Sequence, residues 1–468
     1  MTTGGQERPE LEEVLDRAAD PEAFEAWQRR AKATGWCRHP VRLTGAANRV
    51  DTATGEVIGH FASAGLPDGV LLKACGHRRA TRCPTCSATY QADAYQLVAA
   101  GLRGGKGVPE SIAAHPMVFV TLTAPSFGAV HACRHNDGTL TFPCHPGAGT
   151  CRHGRGRACH AVHEPADPLV GQPICGDCFD YIAAVLWNAH AGELWRRTTI
   201  AIGRSLARQA GIPRSHLRHH VRLAFTKVAE YQRRGSVHFH AVIRLDAPSG
   251  PAAVPPAPFD TALLSAAVAW AVPAVSVPGP DSPGAPRAFR WGAQLDIQTI
   301  GADGKPPKMV GGYLAKYATK STDPDGILDR RLKAADLAGL DQRIGPHLAM
   351  MVRTAWDLGG RPELEHLRLR AWAHTLGFRG HWLTKSRAYS TTLTALRAAR
   401  HQWNLQRDGD DLRDAAVTIG DWRYAGRGWT SDGDAWLAET AASHAADQRR
   451  TARQGTRTTT TGGATGDA

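Results

Sequence analysis

The sequence predicts an α+β protein: an antiparallel β-sheet core with flanking helices, zinc-stapled N-terminal and inserted segments, and a helical C-terminal region. Three observations carry this reading. Two alternating runs, 216–232 and 236–246, meet at Arg233-Arg234-Gly235, and glycine in the last place suits a three-residue hairpin loop whose final residue is left-handed. Further alternating runs, His115 to Pro125 and 291–300, stand apart from the hairpin with helical stretches between them. The ten cysteines include two C-x2-C pairs, Cys83/Cys86 and Cys175/Cys178, a spacing that lets two thiolates grip one tetrahedral ion.

A chain of 468 residues is long enough for two or three domains, each with its own core. Lys and Arg number 56 against 43 Asp and Glu, and a net charge of +13 favours a polyanionic partner such as nucleic acid or an anionic membrane. The N-terminal residues lack a basic-then-apolar signal pattern, and the most apolar later run, Ala262 to Val277, is interrupted by Pro273. A cytoplasmic protein with no membrane partner is therefore expected, in which cysteines serve as metal ligands or reduced thiols rather than disulfides.

In chain order, 1–30 is a helical or flexible lead-in, and 31–110 is a Cys-rich zinc-binding region. Its expected zinc ligands are Cys37, Cys75, Cys83 and Cys86, with His77 able to replace Cys37; buried free thiols are the alternative. Ser87 to Leu102 reads as a helix, and the following G-L-R-G-G-K-G lacks the spacing of a phosphate-binding loop. The region 111–325 holds the sheet core and a Cys-rich insertion at 131–178. There Cys175 and Cys178 anchor a second expected zinc site, completed by Cys151 and Cys159 with His163 in reserve, so one or two structural Zn²⁺ are expected. Phe179 to Ala210 is a long amphipathic helix whose Trp187 and Trp195 belong to the core. A Pro/Ala-rich crossover, 247–286, contains one helix. Residues 326–440 form a helical region in which the patterns at 363–376 and 382–398, around G-F-R-G, make either a DNA-binding helix-turn-helix or an ordinary helical hairpin. Arg379, Lys385 and Arg387 are its DNA-binding candidates. Residues 441–468 read as a disordered tail.

The chemistry concentrates in E-Y-Q-R-R-G-S-V-H-F-H, 230–240, and G-Y-L-A-K-Y-A-T-K, 312–320. Residues i, i+2 on a strand share a face, so His238 and His240 make half a metal site. A three-residue loop pairs Glu230 with His238 and puts Glu230, Gln232, His238 and His240 on one face. Two imidazoles and one oxygen, from Glu230 or Gln232, leave positions open on an ion such as Mg²⁺ or Mn²⁺ gripping a phosphate. Tyr313 and Tyr317 stand four apart on a predicted helix, as do Lys316 and Lys320, setting phenols beside ammonium groups. An isolated His-x-His is commonplace on strand surfaces; its combination with the Tyr/Lys helix is what points to phosphodiester chemistry.

This pairing resembles the HUH endonuclease superfamily, and the two segments look like those of rolling-circle replication initiators. V-F-V-T-L-T-A-P, C-P-T-C, the insertion ending in C-G-D-C-F-D-Y, L-W-R-R-T-T-I and L-G-F-R-G-H-W-L-T-K-S-R-A-Y-S-T-T are similar to initiators of actinomycete plasmids and integrative conjugative elements, over about 35 to 400. The resemblance implies an HUH nuclease core acting on single-stranded or hairpin-extruded origin DNA. Tyr317 would attack one phosphodiester, retain the 5′ end as a phosphotyrosine and release a 3′-OH. Tyr313 would serve a second cleavage or pack. Without a helicase motif, such an initiator requires a host helicase as well as a polymerase. Two other readings are an HUH transposase or conjugative relaxase, and a non-catalytic zinc-stapled DNA-binding regulator.

Overall fold

The computed structural model describes residues 7–136, 139–140, 142–301, 304–320, 327–407 and 416–461. The chain divides into two compact units, one of Asp93–Leu396 and one that joins Met1–Ala92 to Arg397–Ala468.

The larger unit is built on a five-stranded antiparallel sheet of β1 (Met117–Leu122), β2 (Arg222–Tyr231), β3 (Val237–Asp246), β4 (Leu295–Thr299) and β5 (Leu383–Lys385), in the order β4-β1-β3-β2-β5. The β2/β3 turn closes as the composition predicts. Gln232 N–H donates to Ser236 O at 2.9 Å, Gly235 N–H donates to Gln232 O at 2.9 Å, and Gly235 sits at φ +76°, where a side chain would be strained. Glu230 therefore pairs with His238, and Val228 with His240.

Strand alternation sorts the sheet into two faces. Val120, Leu122, Ala229, Val237, Phe239, Ala241 and Ile243 point into the main core. There they meet α1 (Tyr181–Gln209), α2 (Thr261–Ala274) and α4 (Pro346–Leu358), while α3 (Pro307–Ala318) packs against β2. Asp180 caps α1 by accepting from Ala183 N–H at 2.9 Å, and Trp187 and Trp195 are buried in the core as expected. Buried Asn188 of α1 holds the hairpin from behind: its Nδ2 donates to Gly235 O and Leu376 O at 2.9 Å each, and its Oδ1 accepts from Val237 N–H at 3.0 Å. Three satisfied bonds offset the desolvation of a buried amide and fix where the turn lies. Further along β3, fully buried Arg244 pairs twice with Asp246, at 2.7 and 2.9 Å, and donates to Gly101 O and Tyr389 O.

In the smaller unit Val41–Asp51 is a central strand. It pairs antiparallel with Val57–Ala62 and Leu71–Lys73, and along its whole length with Ala416–Arg427. The helices Glu7–Ala19 and Pro21–Ala33 form the lead-in, with Arg17 clasping Asp434 at 3.0 and 2.8 Å.

Three expectations are corrected. Residues 326–440 are not simply helical, because they give one strand to the five-stranded sheet and one to the four-stranded sheet. No helix-turn-helix forms at 363–398: Pro362–Leu367 and Leu369–Thr375 are single 3-10 segments, broken where Arg368 and Leu376 adopt left-handed backbone, and Leu383–Lys385 pairs with β2. Burial of Leu364, Leu367, Leu369 and Leu376 in the core overrides the helical spacing. The tail expected to be disordered contains most of a helix, Asp432–Thr461, whose Ala and Arg residues up to Arg453 favour that state. Residues 462–468 lie outside the described residues.

Candidate functional site

The face of β2 and β3 opposite the main core brings Glu230, His238 and His240 together. Glu230 Oε2 lies 3.1 Å from His238 Nε2 and 3.3 Å from His240 Nε2, and the three donor atoms lie within 4.8 Å of one another. This nitrogen-nitrogen-oxygen set could hold a divalent metal ion on one side. Gln232, the other expected oxygen donor, is engaged elsewhere: its Oε1 accepts from Arg234 Nε at 2.8 Å, and that guanidinium also donates to Pro125 O and Ala124 O.

Electrostatics keep the set ready for a cation. Burial pushes the Glu230 carboxyl up, but hydrogen bonds from His238, His240 and Lys320 outweigh it and bring it down to about 2. Burial holds His240 below the ordinary imidazole range, which favours the neutral form that ligates metal. Thr121 on β1 meets His240 Nδ1 at 3.1 Å, and Phe119 stacks on the same ring at 5.8 Å. Both contacts orient Nε2 toward Glu230, the outer-shell device common around metal-ligating histidines. Neither residue was a sequence candidate; the signal was alternation along V-F-V-T-L, usable only once Thr121 is known to pair with His240.

Helix α3 carries both phenols to this spot. Tyr313 Oη reaches 3.3 Å from His240 Nε2, the Tyr313 and Tyr317 rings lie 4.4 Å apart, and Tyr317 lies 5.5 Å from the His240 ring. Lys316 Nζ and Lys320 Nζ stand 5.6 and 5.2 Å from the Tyr317 ring centre, and Lys320 also bonds Glu230. Burial and neighbouring Tyr317 push the Tyr313 phenol well above its usual range.

Three cysteine-containing groups could hold a metal such as zinc. Cys37, Cys75, Cys83 and Cys86 converge, with Cys37 Sγ 3.8 Å from Cys83 Sγ and 3.6 Å from Cys86 Sγ; His77 is not among them. The second expected set is regrouped. Cys151, Cys175 and Cys178 meet His153, whereas Cys159 joins His131, Cys144 and His163. The reason is local: Cys159 pairs by backbone with His145, beside Cys144, at 2.8 and 2.9 Å, and is carried away from Cys151. The DNA-binding candidates differ in availability. Lys385 is spent on Ser390 O at 2.8 Å and on two neighbouring carbonyls; Arg379 donates to His366 O at 3.1 Å from an exposed position, and Arg387 is exposed. Among the described residues no helix is long and apolar enough to cross a membrane.

Comparison with known proteins places the chain beside a family and a relative. The RepSA family model, whose description is replication initiator protein, pSAM2, matches residues 23–443. A replication initiator protein of Streptomyces ambofaciens is 42% identical over 460 residues, covering 95% of each chain. No solved structure matches.

Proposed function

The chain belongs to the RepSA family of replication initiator proteins, and from that premise we propose that it starts rolling-circle replication by nicking one strand of origin DNA with a tyrosine, as an HUH endonuclease does. The observation that carries the proposal is the meeting of two phenols with a His-His-Glu set: Tyr313 Oη lies 3.3 Å from His240 Nε2, and the Tyr317 ring lies beside it.

Glu230, His238 and His240 would hold the divalent ion, Mg²⁺ or Mn²⁺, which supplies neutralisation of phosphate charge when bound. The Tyr317 phenol oxygen attacks phosphorus, losing its proton to solvent. The bond from phosphorus to the 3′ oxygen breaks, and that oxygen leaves as a 3′-OH after taking up a proton. Lys316 and Lys320, 5.6 and 5.2 Å from the Tyr317 ring centre, would set positive charge near the attacking phenol and a bound phosphate. Tyr313, with its phenol pushed up by burial, is the weaker candidate for the first attack and is placed to lean on His240. The 3′-OH would prime a host polymerase while a host helicase opens the duplex.

The test is cleavage of single-stranded fragments from the DNA flanking the gene, with Mg²⁺ or Mn²⁺, followed by mass analysis of the adduct. A covalent 5′-phosphotyrosine at Tyr317 is expected, with Tyr317→Phe abolishing attachment. Undiminished attachment by that variant removes Tyr317 as nucleophile. Absence of cleavage on every fragment sinks the nicking reading and leaves a DNA-binding initiator.

A further inference from the structure

We infer that the 131–178 insertion is a cross-braced module holding two zinc ions, and that one of them positions the turn of the β2/β3 hairpin. The first site would use His131, Cys144, Cys159 and His163, and the second Cys151, His153, Cys175 and Cys178. Along the chain the ligands fall into four pairs: 131/144, 151/153, 159/163 and 175/178. The first and third pairs meet, as do the second and fourth. Each loop closed by one ion therefore contains ligands of the other.

Donor separations suit tetrahedral zinc, for which bonds of ~2.3 Å to sulfur and ~2.0 Å to nitrogen place neighbouring donors about 3.3–3.8 Å apart. In the first group His131 Nδ1 is 3.1 Å from His163 Nε2 and 3.8 Å from Cys144 Sγ, and Cys159 Sγ is 3.3 Å from His163 Nε2. In the second, Cys151 Sγ is 3.6 Å from Cys175 Sγ, and His153 Nδ1 is 3.2 and 3.8 Å from Cys178 Sγ and Cys175 Sγ. The Asp167 carboxylate accepts from His163 Nδ1 at 2.6 Å, which leaves Nε2 free to ligate. Ala132 N–H donates to Cys144 Sγ at 3.3 Å, as suits a thiolate.

Burial gives an independent reason. In 131–178, leaving aside 135–141, the buried residues are Cys144, Cys151, His163, Gly171 and Cys175. Apart from one glycine, they are all members of the two donor groups. Residues that bury no apolar side chain outside the donor groups must draw their folding energy from elsewhere, and metal bonds are the source they offer.

The link to the hairpin runs through Asp167. While its carboxylate holds His163, its carbonyl accepts from Arg233 Nη1 at 2.7 Å. Arg233 belongs to the loop between Glu230 and His238, and Gly171 packs so closely on it that an added Cβ would come within 2.5 Å of the arginine. The first ion thus holds Asp167, and Asp167 ties the exposed side of a turn whose buried side Asn188 holds. Arg233 is a positioning residue in this scheme.

Zinc content and hydrogen exchange test this without reference to nicking. Full-length protein purified after growth in zinc should contain three zinc ions per chain by elemental analysis, counting the Cys37 group. Cys144→Ser with Cys159→Ser, and separately Cys175→Ser with Cys178→Ser, should each bring the count to two or fewer and open 131–178 to protease. Cys133, outside all the groups, supplies the control: Cys133→Ser should retain three. Should a double variant fail to fold, cobalt substitution of the native chain replaces it, with uptake of three ions and sulfur-to-cobalt absorption expected. A native chain saturating at one ion, or a Cys144/Cys159 double variant retaining three, overturns the module. Arg233→Ala should keep three zinc ions yet exchange the amides of 230–240 at least tenfold faster; unchanged exchange overturns the positioning role.

Discussion

At the scale of single residues, the question the sequence left open was which oxygen completes the histidine pair. Glu230 and Gln232 share a strand face, so periodicity cannot separate them. The difference comes from Arg234, whose guanidinium takes the Gln232 amide oxygen and is itself anchored by carbonyls of the β1 end. That selection depends on a contact across more than a hundred residues and is invisible to local pattern. Titration calorimetry with Mn²⁺ should therefore show Glu230→Gln weakening binding by roughly 10- to 100-fold, the loss common when a metal site is disturbed, and Gln232→Ala changing it less than about threefold. Equal losses for the two variants would return Gln232 to the ligand set. What was legible, the pairing of Glu230 with His238, was so because Gly235 can take the left-handed place that a three-residue loop demands.

Among elements, β2 carries a group that strand alternation explains and composition conceals. Lys227, odd-numbered on a strand whose even positions face the histidines, lies on the core face with its ammonium 4.0 Å from the Phe239 ring centre. Burial lowers it to about 7. The unfolded chain keeps this proton up to about pH 10.4, whereas the folded protein releases it near neutrality. The unfolded state binds more protons between those limits, so this residue makes stability rise with pH from about 7 toward 10.4. Lys227→Met should raise Tm at pH 7 by about 2–4 °C, the shift that ~1 kcal/mol produces in a domain of a few hundred residues, and flatten that alkaline rise. A lower Tm at pH 7 would show that the contact with Phe239 outweighs desolvation. Elsewhere periodicity misled: the 363–376 pattern is helical in spacing, but its leucines are drawn into the core by two turns with left-handed corners. Helices with a continuous buried stripe, such as Tyr181–Gln209, were readable almost to their ends.

For the whole molecule, the sequence located four of the five strands of the larger unit's main sheet, missing Leu383–Lys385, and none of the smaller unit's sheet. Val41–Asp51 is half-buried, with no clean alternation, and its partner lies near the other end of the chain. No local signal announces such a pairing. A chain ending before residue 416 should lose protection against amide exchange across 41–62 while 117–122 and 237–246 keep theirs. Retained protection in 41–62 would mean that Val57–Ala62 and Leu71–Lys73 suffice to hold the central strand.

This closure has a meaning in time as well as in space. During synthesis the strand Val41–Asp51 emerges early, yet its long partner follows only about 365 residues later, a delay of about 20–70 s at ~5–20 residues per second. For that interval one edge of the growing chain stays open to pairing with another polypeptide. Neighbouring ribosomes on one message would hold many such edges close together, making the nascent chain's crowding, rather than the finished protein's stability, the condition under which this fold is most exposed to misassembly.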